Sequence, residues 1–169
     1  ISLQYGPYVA TTAREKSIAA GDPVIDPSIT NRSYKGKETT SSNVTDLKSI
    51  LDTKAAMKGK PVVVVINGNE PMVFAEFEKE ADGILYGFGV MDQAVMDVLS
   101  GKFEPSALLP VQMPANMETV EQQLEDVPHD MKVYVDSEGN AYDFGYGLNW
   151  KGVINDKRVT TYKKKVPKL

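Results

Sequence analysis

Lys60-Pro61-Val62-Val63-Val64-Val65-Ile66, then Asn67-Gly68-Asn69-Glu70-Pro71, then Ala81-Asp82-Gly83-Ile84-Leu85-Tyr86, is the stretch that decides the fold. A β-branched run without polar alternation suits a parallel strand covered on both faces. The Asn/Gly turn ends it, and Pro71 with Phe74 and Phe77 at i, i+3 predicts a helix. Gly83 to Tyr86 reads as a second strand. Beyond it, Met91, Ala94, Val95, Val98 and Leu99 fall at i, i+3, i+4, i+7 and i+8, and Gly101 stands where a helix closes. Upstream, Leu47, Ile50, Leu51 and Ala55 share a helical face, with Thr45 or Asn43 as cap and Gly59 as stop.

Strand and helix alternating at this spacing mean βαβ units with right-handed crossovers. The expected architecture is α/β: a three-layer sandwich with a mainly parallel, flavodoxin-like sheet. Val64, Leu85, Val95 and Val98 are expected in its core. Farther on, Met117 to Leu124 predicts a short helix. Val133-Tyr134-Val135 and Ala141-Tyr142-Asp143-Phe144 flank Asp136-Ser137-Glu138-Gly139-Asn140, the pattern of a C-terminal hairpin. At the other end, Ile1-Ser2-Leu3 reads as the end of a strand, with neither initiator Met nor signal-peptide pattern, so the sheet is expected to be N-terminally incomplete. Residues 4–43 then run polar and rich in Gly, Pro, Ser, Thr and Asn. A connection that long is usually functional. The expected organisation is one domain over 1–156, with 4–43 as a long functional loop and 157–169 as a basic tail.

The 169 residues are 41% hydrophobic and 25% charged, a globular composition, and no apolar run approaches the ~18 residues of a membrane span. Six of the 19 basic residues lie in the tail, so the rest sets 13 against 23 acidic residues, a net charge of −10. Such a body repels phosphate backbones and anionic lipid, which argues against nucleic-acid and membrane partners. With no cysteine and one histidine, thiolate and His-rich metal sites are excluded, and any serine triad would have to use His129. No metal and no cofactor are expected. Gly87-Phe88-Gly89 and Gly145-Tyr146-Gly147 lack the third glycine of a dinucleotide fingerprint. In Phe144-Gly145-Tyr146-Gly147-Leu148 the expected role is structural, aromatic anchors with glycines allowing close backbone approach. His129, between Pro128 and Asp130, reads as a structural turn residue.

The long loop gathers Arg14, Glu15, Asp22, Asp26, Arg32 and Tyr34. Guanidinium and phenol groups hydrogen-bond sugar hydroxyls, and a carboxyl beside a glycosidic oxygen can act as general acid. On this chemistry Arg14, Arg32 and Tyr34 are candidate substrate-binding residues, and Glu15, Asp22 and Asp26 are candidates for the acid/base. A solvated loop with charged tips has the same composition.

From Lys60 to Ile154 three pieces recur in order: Gln93-Ala94-Val95-Met96-Asp97-Val98-Leu99-Ser100-Gly101, Glu104-Pro105-Ser106-Ala107-Leu108-Leu109-Pro110, and Tyr142-Asp143-Phe144-Gly145-Tyr146-Gly147-Leu148. With the two strands before them they resemble the carboxy-terminal α/β sandwich domain of glycoside hydrolase family 3, the β-glucosidase family. The resemblance implies a retaining exo-glycosidase of β-glucosidase or β-xylosidase type. It implies a carbohydrate substrate, a nucleophilic Asp on an N-terminal barrel domain not in this sequence, a periplasmic or secreted setting, and room for a homo-oligomer. The chain departs from the family pattern at Ala107, where the turn usually has glycine, and at Val90-Met91-Asp92, where Glu-Gly-Gly is usual. Only Asn31-Arg32 matches the family's acid/base loop signature, so that assignment does not carry over. A stand-alone carbohydrate-binding or scaffold module and a catalytically dead homologue are the alternatives.

Overall fold

The computed structural model describes residues 2–14, 26–28, 33–124, 127 and 129–162, which form a small α/β domain with a few short sheets. In chain order the elements are β1 (Tyr8–Val9), β2 (Glu38–Thr39), α1 (Thr45–Ala56), β3 (Val63–Asn67), β4 (Gly83–Gly87), α2 (Asp92–Leu99), α3 (Met117–Gln122), β5 (Leu148–Asn149), β6 (Gly152–Val153) and α4 (Lys157–Tyr162).

The decisive stretch forms the expected parallel pair, β3 beside β4 with Val64 opposite Ile84 and Ile66 opposite Tyr86. Asp82 fixes its start: one carboxylate oxygen accepts from the Val62 amide at 2.8 Å and from Lys54 Nζ at 2.6 Å, tying α1 to the sheet. The Lys54 hydrogen bond, followed by that of the Val62 amide, holds the Asp82 carboxyl below its ordinary range. Gly59 at φ +86° closes α1 after one further turn, in the backbone region that favours glycine.

Between β3 and β4 the expected helix is absent. Two 3-10 turns, Phe74–Glu76 and Glu78–Glu80, take its place. An i, i+3 aromatic pair suits 3-10 geometry as well as α, and the Phe77 amide bonds back to the Phe74 carbonyl at 3.1 Å. Both rings are thereby driven inward, each 1% exposed.

The core is built on them. Tyr5, Val64, Phe74, Phe77, Met113 and Tyr134 are buried together, with Ile66, Ile84, Tyr86, Leu109 and Tyr142 packed around. The Phe74 ring meets Phe77, Tyr86 and Tyr142 at centroid distances of 5.5, 6.1 and 5.4 Å, mostly edge to face. The expected hairpin exists as a tight Asp136–Asn140 turn with a Val135–Ala141 bridge, its arms too short for named strands. Met113 lies between the arms: the Tyr134 amide donates to its carbonyl at 2.9 Å, and its own amide donates to the Tyr142 carbonyl at 3.0 Å. The β5–β6 hairpin, turning at Trp150-Lys151, was not expected from the sequence.

The proposed core is only partly that of the structure. Val64 is buried, but Leu85, Val95 and Val98 are half-buried, and α2 has no buried residue. Nor is β3 covered on both faces: Val62 and Val64 point inward, while Val63 and Val65 are 46% and 45% exposed. The reason is that no layer covers that face or the α2 stripe among the described residues. The start of the basic tail is ordered as α4, with Val159 buried and Arg158 donating to the Ser106 carbonyl at 2.7 Å.

The last two recurring motifs join each other. The Gly145 amide donates to the Leu109 carbonyl at 2.8 Å and the Leu109 amide to the Tyr146 carbonyl at 2.7 Å. A Cβ on Gly147 would lie 2.2 Å from the Ala107 carbonyl oxygen, so only glycine fits. Tyr146 itself is buried, and burial pushes its phenol up to about 12.

Two outcomes follow for denaturant unfolding. Phe74→Ala removes the shared ring and should lower stability by about 3–5 kcal/mol, read from the unfolding midpoint. Gly147→Ala should cost at least about 1–3 kcal/mol, because the Ala107 carbonyl that it meets is fixed backbone; an unchanged midpoint would mean that the two motifs do not depend on each other.

Candidate functional site

The long segment is irregular except at its root, where β1 and β2 pair antiparallel, Tyr8 opposite Thr39 and Val9 opposite Glu38. Gly36, at φ +73°, turns the returning limb and donates to the Ala10 carbonyl at 2.9 Å. Below this ribbon the chain is clamped to the core: the Glu76 carboxylate accepts from the Tyr5 amide at 2.7 Å and the Gly6 amide at 2.8 Å. Each such charge-assisted bond is worth roughly 1.5–3 kcal/mol in a partly buried setting. Farther out, the Ser33 hydroxyl donates to the Arg14 carbonyl, so the outgoing and returning limbs lie side by side.

Three of the six candidate residues can be placed. Arg14 is half-buried, and its guanidinium donates to the Gln123 carbonyl at the end of α3 at 3.1 Å. Tyr34 is 43% exposed. Its phenol faces Glu121 of α3, and burial first, then the Glu121 charge, raises its pKa. Arg14 and Tyr34 are thus brought together over α3. Asp26 lies apart and fully exposed, accepting from the Ser28 hydroxyl at 2.6 Å and amide at 3.0 Å. Those bonds lower its pKa and favour the carboxylate, the wrong direction for a proton donor. Glu15, Asp22 and Arg32 lie outside the described residues.

The sequence reading missed Glu121. It is 7% exposed, and neither carboxylate oxygen has a hydrogen-bond partner among the described residues. Desolvation raises its pKa, with Tyr34 acting the other way. The signal was present: Met117 and Glu121 are i, i+4 on α3, and Met117 is buried. Asn116, which caps the helix by accepting from the Thr119 amide at 3.0 Å, fixes which face turns inward.

On the other side of α3 an open cleft of about 420 Å³ is lined by Leu3, Pro71, Val111, Gln112, Val120, Gln123, His129, Met131 and Phe144. Gln112 is held there by Asp143, its amide nitrogen 2.8 Å from the carboxylate. His129 sits at the rim, exposed, at φ +61°. No group of three or more His, Asp or Glu able to hold a metal occurs among the described residues, and no helix among them is long and apolar enough to cross a membrane.

The sequence model of the glycosyl hydrolase family 3 C-terminal domain matches residues 9–150, taking in the ribbon, the long segment, the parallel pair and the joined glycine motifs. Among curated proteins the chain is similar to a probable beta-glucosidase C of Aspergillus flavus, 34% identical over 59% of this chain and 16% of that protein. It is also similar to a periplasmic beta-glucosidase of Salmonella typhimurium, 28% identical over 64% of this chain and 16% of that protein. A putative beta-xylosidase of Formosa agariphila is 26% identical over 54% of this chain and 13% of that protein. The chain therefore spans about a sixth of the length of the curated relatives it matches. No solved structure matches it. The match over most of the sequence, together with the pairing of its last two motifs in space, makes the chain a member of the glycosyl hydrolase family 3 C-terminal domain family.

Proposed function

We propose that this domain forms one wall of the sugar site of a retaining exo-glycosidase that removes terminal β-linked glucose or xylose, working beside an N-terminal barrel domain. The observation that carries this reading is the family match, whose bounds, residues 9–150, enclose most of the long segment. The relatives named as beta-glucosidases and a beta-xylosidase support the substrate class, and the periplasmic relative from Salmonella typhimurium supports a setting outside the cytoplasm.

Retaining hydrolysis needs two carboxyl groups about 5–5.5 Å apart, one as nucleophile and one as acid then base. In this proposal the barrel supplies the nucleophile and the 4–43 segment the second group. Arg14, Arg32 and Tyr34 bind hydroxyls. Glu15 and Asp22 suit the proton donor better than Asp26, whose ionised form is stabilised by Ser28. The ribbon and the Glu76 clamp would give this segment a rigid root, which positions side chains far better than a free loop does.

The same reading includes a three-layer, flavodoxin-like sandwich. The parallel β3–β4 pair, the outward Val63 and Val65 and the amphipathic α2 support it, since parallel sheets are normally covered on both faces.

By itself the chain should not release p-nitrophenol from a p-nitrophenyl β-glucoside, and turnover there would contradict a nucleophile on another domain. In the full-length protein, alanine at Glu15 or Asp22 should lower kcat by about 10²–10⁴-fold if that residue is the general acid, with less effect on substrates having good leaving groups. Alanine at Arg14 or Arg32 should fall mainly on kcat/KM. Near-wild-type kinetics in all four variants would remove the site from this segment. Val65→Asp should destabilise the full-length protein by several kcal/mol, at about the cost of an unpaired buried carboxylate; a neutral effect would mean that this face stays bare.

A further inference from the structure

Among the described residues Glu121 has no hydrogen-bond partner for its carboxylate. Tyr8 and Tyr34 face it from the two limbs of the ribbon segment, and the Tyr8 hydroxyl is itself buried without a partner, Thr12 lying beside it. Glu118 of the same helix bears on Tyr8, and Arg14, packed on α3, donates to the Gln123 carbonyl. Ionised in this enclosure, the carboxylate loses its water and meets no cation among the described residues, and the Tyr34 phenol offsets only part of that cost. Neutral, it is buried at a much smaller cost.

We propose that Glu121 is a positioning residue that works as a proton-operated latch: neutral, it seats the Tyr8 and Tyr34 limbs on α3, and ionised it drives them off. The inference deepens the proposed function and rests on it in one respect, that the latched segment is the one reading the sugar. Desolvation raises the carboxyl in the seated state above the ordinary value of 4.5, and Tyr34 tempers the rise. The sign follows. Seating is fully favoured below the ordinary glutamate pKa and is lost as pH climbs through the raised value. Burial keeps both phenols protonated throughout, so they take no part in the titration.

The test follows hydrogen exchange in the full-length protein between about pH 4 and 8, corrected for intrinsic rates, at the Ala10, Gly36 and Lys37 amides. These amides bond to the Lys37, Ala10 and Tyr34 carbonyls and report the seated ribbon directly. In the wild type, protection should fall by up to tenfold per pH unit as Glu121 ionises. Glu121→Gln should keep the low-pH protection at every pH. Tyr34→Phe, which removes the group that tempers the shift, should move the midpoint to higher pH. The kcat/KM profile on p-nitrophenyl β-glucoside should lose its alkaline limb in Glu121→Gln. Protection independent of pH in the wild type, or an unaltered pH response in Glu121→Gln, overturns the latch. An exchange response as expected with an unmoved kcat/KM profile upholds the latch and overturns the sugar-site reading of the segment.

Discussion

The edge-to-face packing around Phe74 is the contact on which the other elements depend. Its ring touches β4 through Tyr86, the junction of the two 3-10 turns through Phe77 and the Asp136 hairpin through Tyr142, three parts of the chain that it holds together. A two-stranded parallel sheet is too small to be stable by itself. Here its inner face is completed by aromatic rings. Two of the polar ends find a partner at the rim: the Tyr86 hydroxyl donates to the Glu70 carbonyl and the Tyr134 hydroxyl to Glu78 at 2.9 Å. Burial, then the bond to Glu78, pushes the Tyr134 phenol up to about 12, so it stays a donor.

This dependence also explains the anchoring of the long segment. Tyr5 packs edge to face on Phe77 at 6.0 Å, and its amide is gripped by the adjacent Glu76, the last residue of the first 3-10 turn. The cluster that closes the sheet thus fixes the root of the long segment, and a change in the core reaches that segment through one residue.

Much of this was legible in the sequence, for reasons that differ by element. The Val62–Ile66 run, the α1 and α2 stripes and the Gly59 and Gly101 stops are local patterns, and each formed where its pattern lay. Phe74 and Phe77 misled because i, i+3 spacing is common to α and 3-10 turns, and Pro71 does not discriminate between them. The β1–β2 ribbon has two residues per strand, too few for any periodicity, and its pairing spans a separation that only the tertiary structure closes. Val95 and Val98 point where an amphipathic helix should point, yet burial depends on what lies opposite, which a local pattern does not contain. Arg14 and Tyr34, singled out by chemistry alone, come together over α3. Glu121 was passed over because acidic residues are read as solvent-facing, although its helical spacing from Met117 placed it inside.

The bare side of β3 bears on handling. Val62 to Ile66 is an apolar, uncharged, proline-free segment of the length that stacks into intermolecular sheets, and Val63 and Val65 already face water. Lys60 and Pro61 before it, and Asn67 and Gly68 after it, are the only gatekeepers nearby. Produced alone at high concentration, the chain faces a colloidal problem more than a folding one, and a charged substitution at Val63 is the most direct way to keep it dispersed while leaving the Phe74 cluster intact.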